Sequence, residues 1–364
     1  MDNSNVLILC ITLASMVIVS CSNLLCLYLT LELQSLSVFI LIARKREIVS
    51  RIEASLKYFI LSSISSGLFL LGSSLVFLNA GTYDITVLSL DAYFIEKSLI
   101  LVSLLFKLAA SPFHFWSPDV YQGSDNKALL VLGTLPKISI LGVLLLLIPN
   151  SKLLLLATIL SLIIGCVGAI NQTKLKRLMA YSSIVGMGFI LMGVSVYTFE
   201  GLEAGILYLL IYLLTFAGII IIADKTIEEK STIVELSNFL GSNVVLLGSF
   251  SLLVLSLAGI PPLGGFLAKW FIISTAINNE FLITSILSII CAMVAGVYYL
   301  RLVKISYFQH DKLFLVWRKV LLKKSFGSDF YGVTTGIIVY FVLFFLLSPH
   351  ILQETLHFGV LSIF

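Results

Sequence analysis

The stretch that decides the fold of this chain reads Leu104-Leu105-Phe106-Lys107-Leu108-Ala109-Ala110-Ser111-Pro112. It begins as an apolar helical run of the kind that crosses a membrane, yet it carries a lysine and ends in a proline. The same order, L-A-x-x-P, returns in Leu257-Ala258-Gly259-Ile260-Pro261. Irregular backbone at membrane depth is tolerated only where protein or water satisfies it. Pro112 and Pro261 therefore predict two discontinuous helices, which in transporters mark the transport site.

The composition around these stretches is that of a membrane protein. Apolar residues make up 59% of the 364 residues, charged residues make up 12%, and the mean hydropathy is +1.10. Soluble domains contain about 45–50% apolar and about 25% charged residues. Because the apolar stretches recur from end to end, residues 1–364 are predicted to form one membrane domain.

Eleven stretches are long enough to cross a bilayer, whose hydrocarbon core of about 30 Å requires roughly 20 helical residues. They cover residues 5–22, 23–43, 55–79, 98–116, 127–149, 153–172, 178–198, 203–223, 244–276, 281–300 and 333–348. The predicted fold class is an all-α polytopic membrane protein with about eleven transmembrane helices.

The basic residues predict how these spans are oriented. With the N-terminus on the inner side, the inner loops hold 18 of the 23 lysines and arginines, and the outer loops hold only Lys97 and Lys152. Such an excess of inner positive charge is typical of membrane proteins, and one missed span would reverse every later loop. The C-terminus is then expected on the outer side. The net charge of +4 reports this orientation and does not indicate a nucleic-acid partner.

The two proline breaks also predict an internal repeat. They fall in the fourth and ninth spans, so residues 5–149 and 153–308 form two five-helix units. Since five is odd, the second unit enters the membrane from the opposite side and is inverted relative to the first. An inner-side loop at 309–332 and a C-terminal helix at 333–348 follow. The alternative is a chance match of five residues, because proline is common in membrane helices.

Four charged residues lie inside the spans, and they are the candidate functional residues. Glu32 is the one acid among 19 that lies away from a span end, and Lys107, Lys137 and Lys269 are the three lysines that belong to no loop. A charge at the bilayer centre costs at least about 2.5–3.5 kcal/mol, so such residues usually pair, face water or carry ions. Burial favours neutral lysine whereas a nearby carboxylate favours the charged form, so the set predicts proton transfer.

Each candidate also has a structural alternative. Glu32 could be a protonated carboxyl that hydrogen bonds between helices. Lys269 follows an unwound stretch, so the sequence does not fix its depth relative to the membrane midplane. His114, just after the first break, is a candidate secondary relay, although a lone histidine among aromatic residues is more often a packing group. No nucleotide, haem or iron–sulfur motif occurs, and the cysteines lack metal-ligand spacing.

Several longer stretches resemble the subunit 2 family of respiratory complex I, the NADH:ubiquinone oxidoreductase. The resemblance runs from about residue 23 to about residue 308. It is carried by 31–37, 56–61, 106–123, 136–138, 172–184 and 258–266, which include Phe106-Lys107, Pro112-Phe113-His114-Phe115-Trp116-Ser117-Pro118-Asp119, Pro136-Lys137-Ile138 and Gly259-Ile260-Pro261-Pro262-Leu263-Gly264-Gly265-Phe266.

This resemblance implies an antiporter-like membrane-arm subunit that moves protons while other subunits oxidise NADH and reduce ubiquinone. Glu32 matches the family's acid that pairs with the first broken-helix lysine, Lys107, while Lys137 matches the central lysine and Lys269 leads toward the outer exit. The implied partners are other membrane-arm subunits, including neighbouring antiporter-like ones, and lipids. FMN, iron–sulfur clusters, NADH and ubiquinone would be held by other subunits.

The resemblance also shows departures. Full-length relatives have fourteen helices, so this chain corresponds to the last eleven, and the first three are either lost or supplied by a separate chain. Ser124-Asp125-Asn126 replaces the usual small residue, Pro and Thr, and Gly186 stands where relatives often have His. Residues Met1 to Asn5 lack a base and a targeting pattern. We therefore expect an organelle-encoded protein of the mitochondrial inner membrane with its N-terminus in the matrix and its C-terminus in the intermembrane space.

Two other functions fit the same sequence features. The chain could belong to a stand-alone cation/proton antiporter, or it could be a structural membrane-arm subunit whose charges no longer act. Purification with NADH:quinone oxidoreductase activity separates the first alternative, and unchanged proton stoichiometry after mutation of the four charged residues would favour the second.

Overall fold

A computed structural model describes residues 3–44, 48–85, 94–147, 151–226, 232–233, 244–308 and 329–361. These residues are almost entirely helical. The helices are α1 (Asn3–Ser20), α2 (Leu24–Ile42), α3 (Val49–Ala80), α4 (Phe94–Leu108), α5 (Trp116–Gly123), α6 (Asn126–Leu146), α7 (Ser151–Ile170), α8 (Leu175–Val196), α9 (Phe199–Thr226), α10 (Val244–Ala258), α11 (Gly264–Asn278), α12 (Leu282–Phe308), α13 (Asp329–Leu347) and α14 (Pro349–Leu361).

The all-α membrane fold agrees with the prediction from sequence, whereas helix length alone supports fewer than eleven spans among the described residues. Within the described residues, seven helices are each long and apolar enough to cross a membrane: α2, α3, α6, α7, α8, α9 and α12. Helices α1 and α10 are apolar but shorter. The count of eleven therefore stays a prediction.

The C-terminal region contains one helix more than expected. The predicted helix 333–348 lies mostly within α13, and α14 follows it after a bend of 88°. Pro349 begins α14, in agreement with the preference of proline for the first turn of a helix. Most of the predicted inner-side loop 309–332 lies outside the described residues.

Two of the predicted spans are each divided into two helices. The predicted span 98–116 consists of α4 and the start of α5, and the span 244–276 consists of α10 and most of α11. Pro112 and Pro261 both lie in the segments that join the halves. A proline has no N–H for the helical ladder and its ring collides with the preceding turn, so neither segment continues the helix before it.

The order of elements repeats along the chain. Three helices, one divided helix and one further helix occur twice, in α1–α6 and again in α7–α12. Isolated backbone bridges occur at corresponding places, between Asn23 and Asp84 in the first set and between Lys174 and Thr232 in the second. Each bridge ties the start of a set's second helix to the segment after its third. The unit bounds 5–149 and 153–308, and the inversion between the units, stay predictions.

Helix α8 lies at the centre of the packing. In its most apolar window 89% of the residues are buried, whereas the value for α3 and α12 is 33%. Small residues permit close approach: a Cβ added at Gly193 of α8 would lie 2.7 Å from the backbone oxygen of Gly201 of α9. Close contact between small residues is the usual way in which helices associate in membranes.

The two sets of helices meet through the centre of the molecule. Helix α5 packs against α8, and α6 packs against α9. As a result, the lysine in the middle of α6 lies against a helix of the second set, which places it between the two broken helices.

Candidate functional site

Lys107 occupies the last turn of α4, directly before the first break. The helix ends at Leu108, and Ala109 follows with a left-handed φ of 57°. The N–H of Ala110 then donates to the backbone oxygen of Leu105 at 3.1 Å, the hydrogen bond that typically closes a helix C-terminus. Non-glycine residues rarely adopt this conformation, so the backbone at the break is strained.

The Lys107 side chain reaches toward α2. Its Nζ donates to the backbone oxygen of Leu31 at 3.3 Å, which is adjacent in sequence to Glu32. The Glu32 carboxylate accepts a hydrogen bond from Ser35 Oγ at 3.4 Å, and it is close enough to act electrostatically on Lys107. Among the described ion pairs none joins Glu32 to Lys107, so the expected pairing of these two residues stays a prediction.

Burial separates the four charged residues into two classes. Lys137 is 4% exposed and Lys269 is 6% exposed, so this chain alone buries both. Glu32 and Lys107 are only half-buried. The chain by itself therefore encloses Lys137 and Lys269 more fully than Glu32 and Lys107.

A small polar cavity extends from Lys107 toward α6. Its volume is about 20 Å³, which is enough for a single water molecule. The polar side chains around it include Ser35, Tyr58, Ser62 and Ser65, and Pro136 and Ile140 of α6 also line it. Such groups offer both donors and acceptors to a water molecule. The cavity therefore connects the first lysine to the neighbourhood of the second.

A hydrogen bond links α2 to α6 beside this cavity. Gln34 Nε2 donates to Ser139 Oγ at 3.1 Å, and both residues are buried. Ser139 lies two positions after Lys137 on α6. The contact fixes the helix with Glu32 against the helix with Lys137.

Lys137 faces the second set of helices. It follows Pro136 inside α6, and its Nζ donates to the Tyr212 hydroxyl of α9 at 3.1 Å. The same Nζ lies 4.7 Å from the Tyr212 ring centroid and 5.7 Å from that of Phe216. A cation over an aromatic face is stabilised by the ring quadrupole, so this pocket accommodates a protonated lysine without a carboxylate.

Lys269 bridges the second break. It lies on α11, and its Nζ donates to the backbone oxygens of Leu257 and Ala258, the last residues of α10, at 2.8 and 3.0 Å. Gly259, with a φ of 83°, makes room for it, because a Cβ there would lie 3.0 Å from Lys269 Cδ. The lysine thus satisfies carbonyl groups that have no partner within the helix.

Three polar groups at the breaks are buried without a hydrogen-bond partner among the described residues. They are Ser111 Oγ and His114 Nδ1 at the first break and Ser256 Oγ at the second. Buried polar groups are nearly always hydrogen-bonded, to protein or to water, so these positions favour water at both breaks. The structure places His114 beside Phe115, with ring centroids 4.6 Å apart, and brings it into contact with none of the three lysines in the contacts described. Its role as a secondary relay stays a prediction.

Ion pairs hold the short helix α5 at the predicted inner side. Asp119 accepts hydrogen bonds from Lys57 at 2.9 Å and from Arg177 at 2.6 Å, which lie on α3 and α8. Asp125, just after α5, pairs with the buried Arg51 of α3. The unusual Asp125 therefore has a definite partner, and it anchors the chain between α5 and α6.

The sequence did not single out the tyrosines next to Lys137 as functional residues. Tyr208 and Tyr212 lie one helical turn apart on α9, and Tyr298 and Tyr299 are adjacent on α12. All four are at most 6% exposed. The sequence feature that could have indicated them is the spacing of Tyr208 and Tyr212, because two hydroxyls four residues apart share one face of an apolar helix.

Comparisons with known proteins agree with this architecture. The profile of the family described as NADH:quinone oxidoreductase/Mrp antiporter, TM, matches residues 21–295. A protein of Metridium senile named NADH-ubiquinone oxidoreductase chain 2 is 40% identical over an alignment of 377 positions. The alignment covers 99% of this chain and 97% of that protein. NADH-quinone oxidoreductase subunit N of Pelagibacter ubique is 38% identical over 84% of this chain and 69% of its own length.

Solved structures give the same result for the fold. A chain of respiratory complex I from Thermus thermophilus with bound aureothin superposes with a TM-score of 0.86 at 26% identity, over 98% of this chain and 80% of that one. A chain of the Mrp complex from Dietzia sp. DQ12-45-1b superposes with a TM-score of 0.85 at 19% identity, over 98% and 77%, which shows a shared fold alone. The chain thus belongs to the NADH:quinone oxidoreductase/Mrp antiporter transmembrane family.

Proposed function

We propose that this chain is the proton-translocating subunit 2 of the membrane arm of respiratory complex I, coupled to NADH oxidation and ubiquinone reduction in other subunits. The relative of Metridium senile, matched over almost its whole length, carries the corresponding name. The observation that carries the proposal is the series of lysines at the breaks and between them, Lys107, Lys137 and Lys269, each with a hydrogen-bond partner on another helix.

The geometry suggests how such a series would transfer protons. Lys107 is the half-buried member, with a long bond to α2 and a small cavity with polar lining beside it. A change in its separation from Glu32 would alter how strongly the charged form of the lysine is favoured. When the carboxylate moves away, Lys107 releases its proton toward the cavity and Lys137. When it returns, Lys107 binds another proton.

Partners and location follow from the same proposal. The chain would assemble with other complex I membrane-arm subunits, and a neighbour would cover Glu32 and Lys107, which this chain leaves half-exposed. The proposed location is the mitochondrial inner membrane, with the N-terminus in the matrix and the C-terminus in the intermembrane space. Redox cofactors would be bound by other subunits, and a separate chain could supply helices that correspond to the first three of longer relatives.

The test is to replace Lys107 and Lys137 individually by methionine in the assembled complex. Both Lys107→Met and Lys137→Met are expected to reduce NADH-driven proton pumping into sealed vesicles by more than about tenfold, the typical effect of losing a proton-transfer group. Lys152→Met is the control, because Lys152 is exposed at the start of α7. Pumping at wild-type rates in both variants, with normal assembly, would contradict the proposal.

Co-purification separates this function from a stand-alone antiporter. The likeness to the Mrp complex shows a shared fold and favours neither function. The chain is expected to migrate with NADH:quinone oxidoreductase activity, and an intact complex that lacks this activity would favour the antiporter.

A further inference from the structure

Four tyrosines fill the region between Lys137 and Lys269, and we call them the tyrosine cluster. They are Tyr208 and Tyr212 on α9 and Tyr298 and Tyr299 on α12, between 2% and 6% exposed. A buried tyrosine hydroxyl usually finds a polar partner, since leaving it unpaired in an apolar region is unfavourable. Four such hydroxyls in one part of a membrane protein form a polar island between two lysines.

One end of the cluster touches Lys137 directly. The 3.1 Å bond from Lys137 Nζ to the Tyr212 hydroxyl joins a proton donor to a group that both accepts and donates. Phe216, the other ring near this Nζ, offers only its face. Among the contacts described for Lys137, the Tyr212 hydroxyl is therefore the one that can pass a proton onward.

Gly186 of α8 brings Tyr212 and Tyr208 together. A Cβ added at Gly186 would lie 3.2 Å from two ring carbons of Tyr212 and 3.8 Å from the Tyr208 hydroxyl oxygen. Both tyrosines thus converge on the space that a side chain at position 186 would enter. The absence of a side chain at Gly186 leaves room for both tyrosines, and the buried Ser183 of α8 also interacts with the Tyr212 hydroxyl.

The second pair of tyrosines lies next to the first. The rings of Tyr298 and Tyr299 are 4.5 Å apart, and Tyr299 is close enough to act electrostatically on both Tyr208 and Tyr212. The buried Tyr298 hydroxyl interacts with the neighbouring Tyr299 hydroxyl, but among the described residues it makes no hydrogen bond of good geometry. A fully buried hydroxyl without a well-formed hydrogen bond is a natural place for a water molecule to bind.

The other end of the cluster approaches Lys269. Phe189 of α8 lies between them, with its ring centroid 5.6 Å from that of Tyr208 and 5.5 Å from Lys269 Nζ. The ring of Phe189 thus lies near both Tyr208 and the lysine that bridges the second break, and the buried Cys166 thiol is close enough to interact with both. Rotation of the Phe189 side chain is a smaller change than separating two packed helices.

We propose that Tyr212 and Tyr208 form a hydroxyl relay that carries protons between Lys137 and Lys269, with Tyr298 and Tyr299 as its polar support. This inference rests on the proposed function and specifies its central segment. It assigns the connection to two side chains of α9 that face Gly186 of α8, supported by two side chains of α12.

The transfer step keeps every tyrosine neutral. As the Lys137 ammonium gives a proton to the Tyr212 oxygen, Tyr212 gives its own hydroxyl proton to a water molecule between it and Tyr208. One N–H bond and one O–H bond break while two O–H bonds form. Lys137 ends neutral, and the positive charge moves one step toward Lys269. Rotation of the hydroxyls restores the starting arrangement.

The deciding experiment compares Tyr212→Phe and Tyr208→Phe with wild type in the assembled complex. Phenylalanine keeps the ring and its packing and removes only the hydroxyl, so assembly should be preserved. Tyr212→Phe is expected to reduce NADH-driven proton pumping by more than about tenfold per assembled complex. Tyr307→Phe is the matched control, because Tyr307 lies at the far end of α12 and bonds Ser251 instead.

A double variant separates the relay from a packing role. If Tyr212 and Lys137 act on one path, Lys137→Met combined with Tyr212→Phe should pump no worse than Lys137→Met alone. If Tyr212→Phe pumps normally while Lys137→Met does not, the relay is overturned and the proposed function stands. If both single variants pump normally, the proposed function itself fails. Should Tyr212→Phe not assemble, Tyr208→Phe decides by the same criterion.

Discussion

In each broken helix, a side chain from the second half donates to backbone carbonyl oxygens at the end of the first half, but the donor differs between the two breaks. At the first break, the Trp116 indole of α5 turns back and donates to the backbone oxygen of Phe106 in α4 at 3.0 Å. At the second break, Lys269 of α11 donates to the oxygens of Leu257 and Ala258 in α10. The donor at the first break is a neutral indole, and the donor at the second break is the candidate proton-carrying lysine itself.

This difference decides how much each lysine can move. Because Trp116 occupies the end of α4, Lys107 is available to reach across to α2, where its one backbone bond is 3.3 Å long. Lys269 has two shorter bonds to its own broken helix. We infer that the first break holds an adjustable lysine, suited to a changing partner such as Glu32, and the second holds a fixed one.

The packing of the half-helices follows the same division. Helix α5 packs against α3 and α8 and hardly against α4, whereas α11, which packs mainly against α9 and α8, also packs against α10. The first break is therefore open, with a cavity beside its lysine, and the second is closed on itself.

The largest expected effect is from a change that forces the second break open. A Cβ at Gly265 would lie 2.0 Å from the Ser256 backbone oxygen of α10, and backbone cannot yield as a flexible side chain does. Gly265→Ala should destabilise the fold by about 3 kcal/mol or more and strongly reduce the amount of assembled complex, measured on native gels.

Gly248→Ala on α10 is the control for this substitution. No atom lies within 4 Å of an added Cβ at Gly248, so the change should be neutral or slightly stabilising, since alanine favours helix. Wild-type amounts of complex in Gly265→Ala would show that the second break is not closed as described.

The next prediction concerns the two lysines as structural groups. Lys269→Met removes both donors from the end of α10 and should reduce stability by about 1–2 kcal/mol. Lys107→Met removes one long bond and should have a smaller effect. The measurement is the temperature at which half of the complex has lost this subunit. An equal or larger decrease for Lys107→Met would remove the distinction between a fixed and an adjustable lysine.

The sequence predicted the lysines and the breaks because both are local features. Lys107 and Lys269 were found by the rarity of charge in apolar runs, and Pro112 by its effect on its own helix. The sequence could not predict which side chain donates to the backbone oxygens at each break. In the sequence, Trp116 is an aromatic residue near the start of a helix. Its hydrogen bond to the backbone oxygen of Phe106 depends on how the chain turns between the two residues.

The sequence did not predict the tyrosine cluster, for a similar reason. A tyrosine in an apolar helix reads as packing, and the four tyrosines come from two helices that are distant in sequence. Only the contact of α9 with α6 places Tyr212 beside Lys137. The partial exposure of Glu32 also lay beyond the sequence, because it depends on which face of α2 the other helices cover and not on the hydropathy of α2.

The smallest expected effect tests the strain at the first break. Ala109 has a left-handed φ of 57°, which disfavours any residue with a Cβ by about 1–2 kcal/mol, whereas the second break has glycine in that conformation. Ala109→Gly removes this strain but loses a buried methyl group and adds freedom to the unfolded chain. We expect these terms nearly to cancel, so that the melting temperature of the complex is unchanged or slightly raised. Ala110→Gly is the matched control, because Ala110 is equally buried without a positive φ and should lose about 1 kcal/mol. Equal losses in both variants would show that Ala109 is not strained, and the first break would then differ from the second only in its capping side chain.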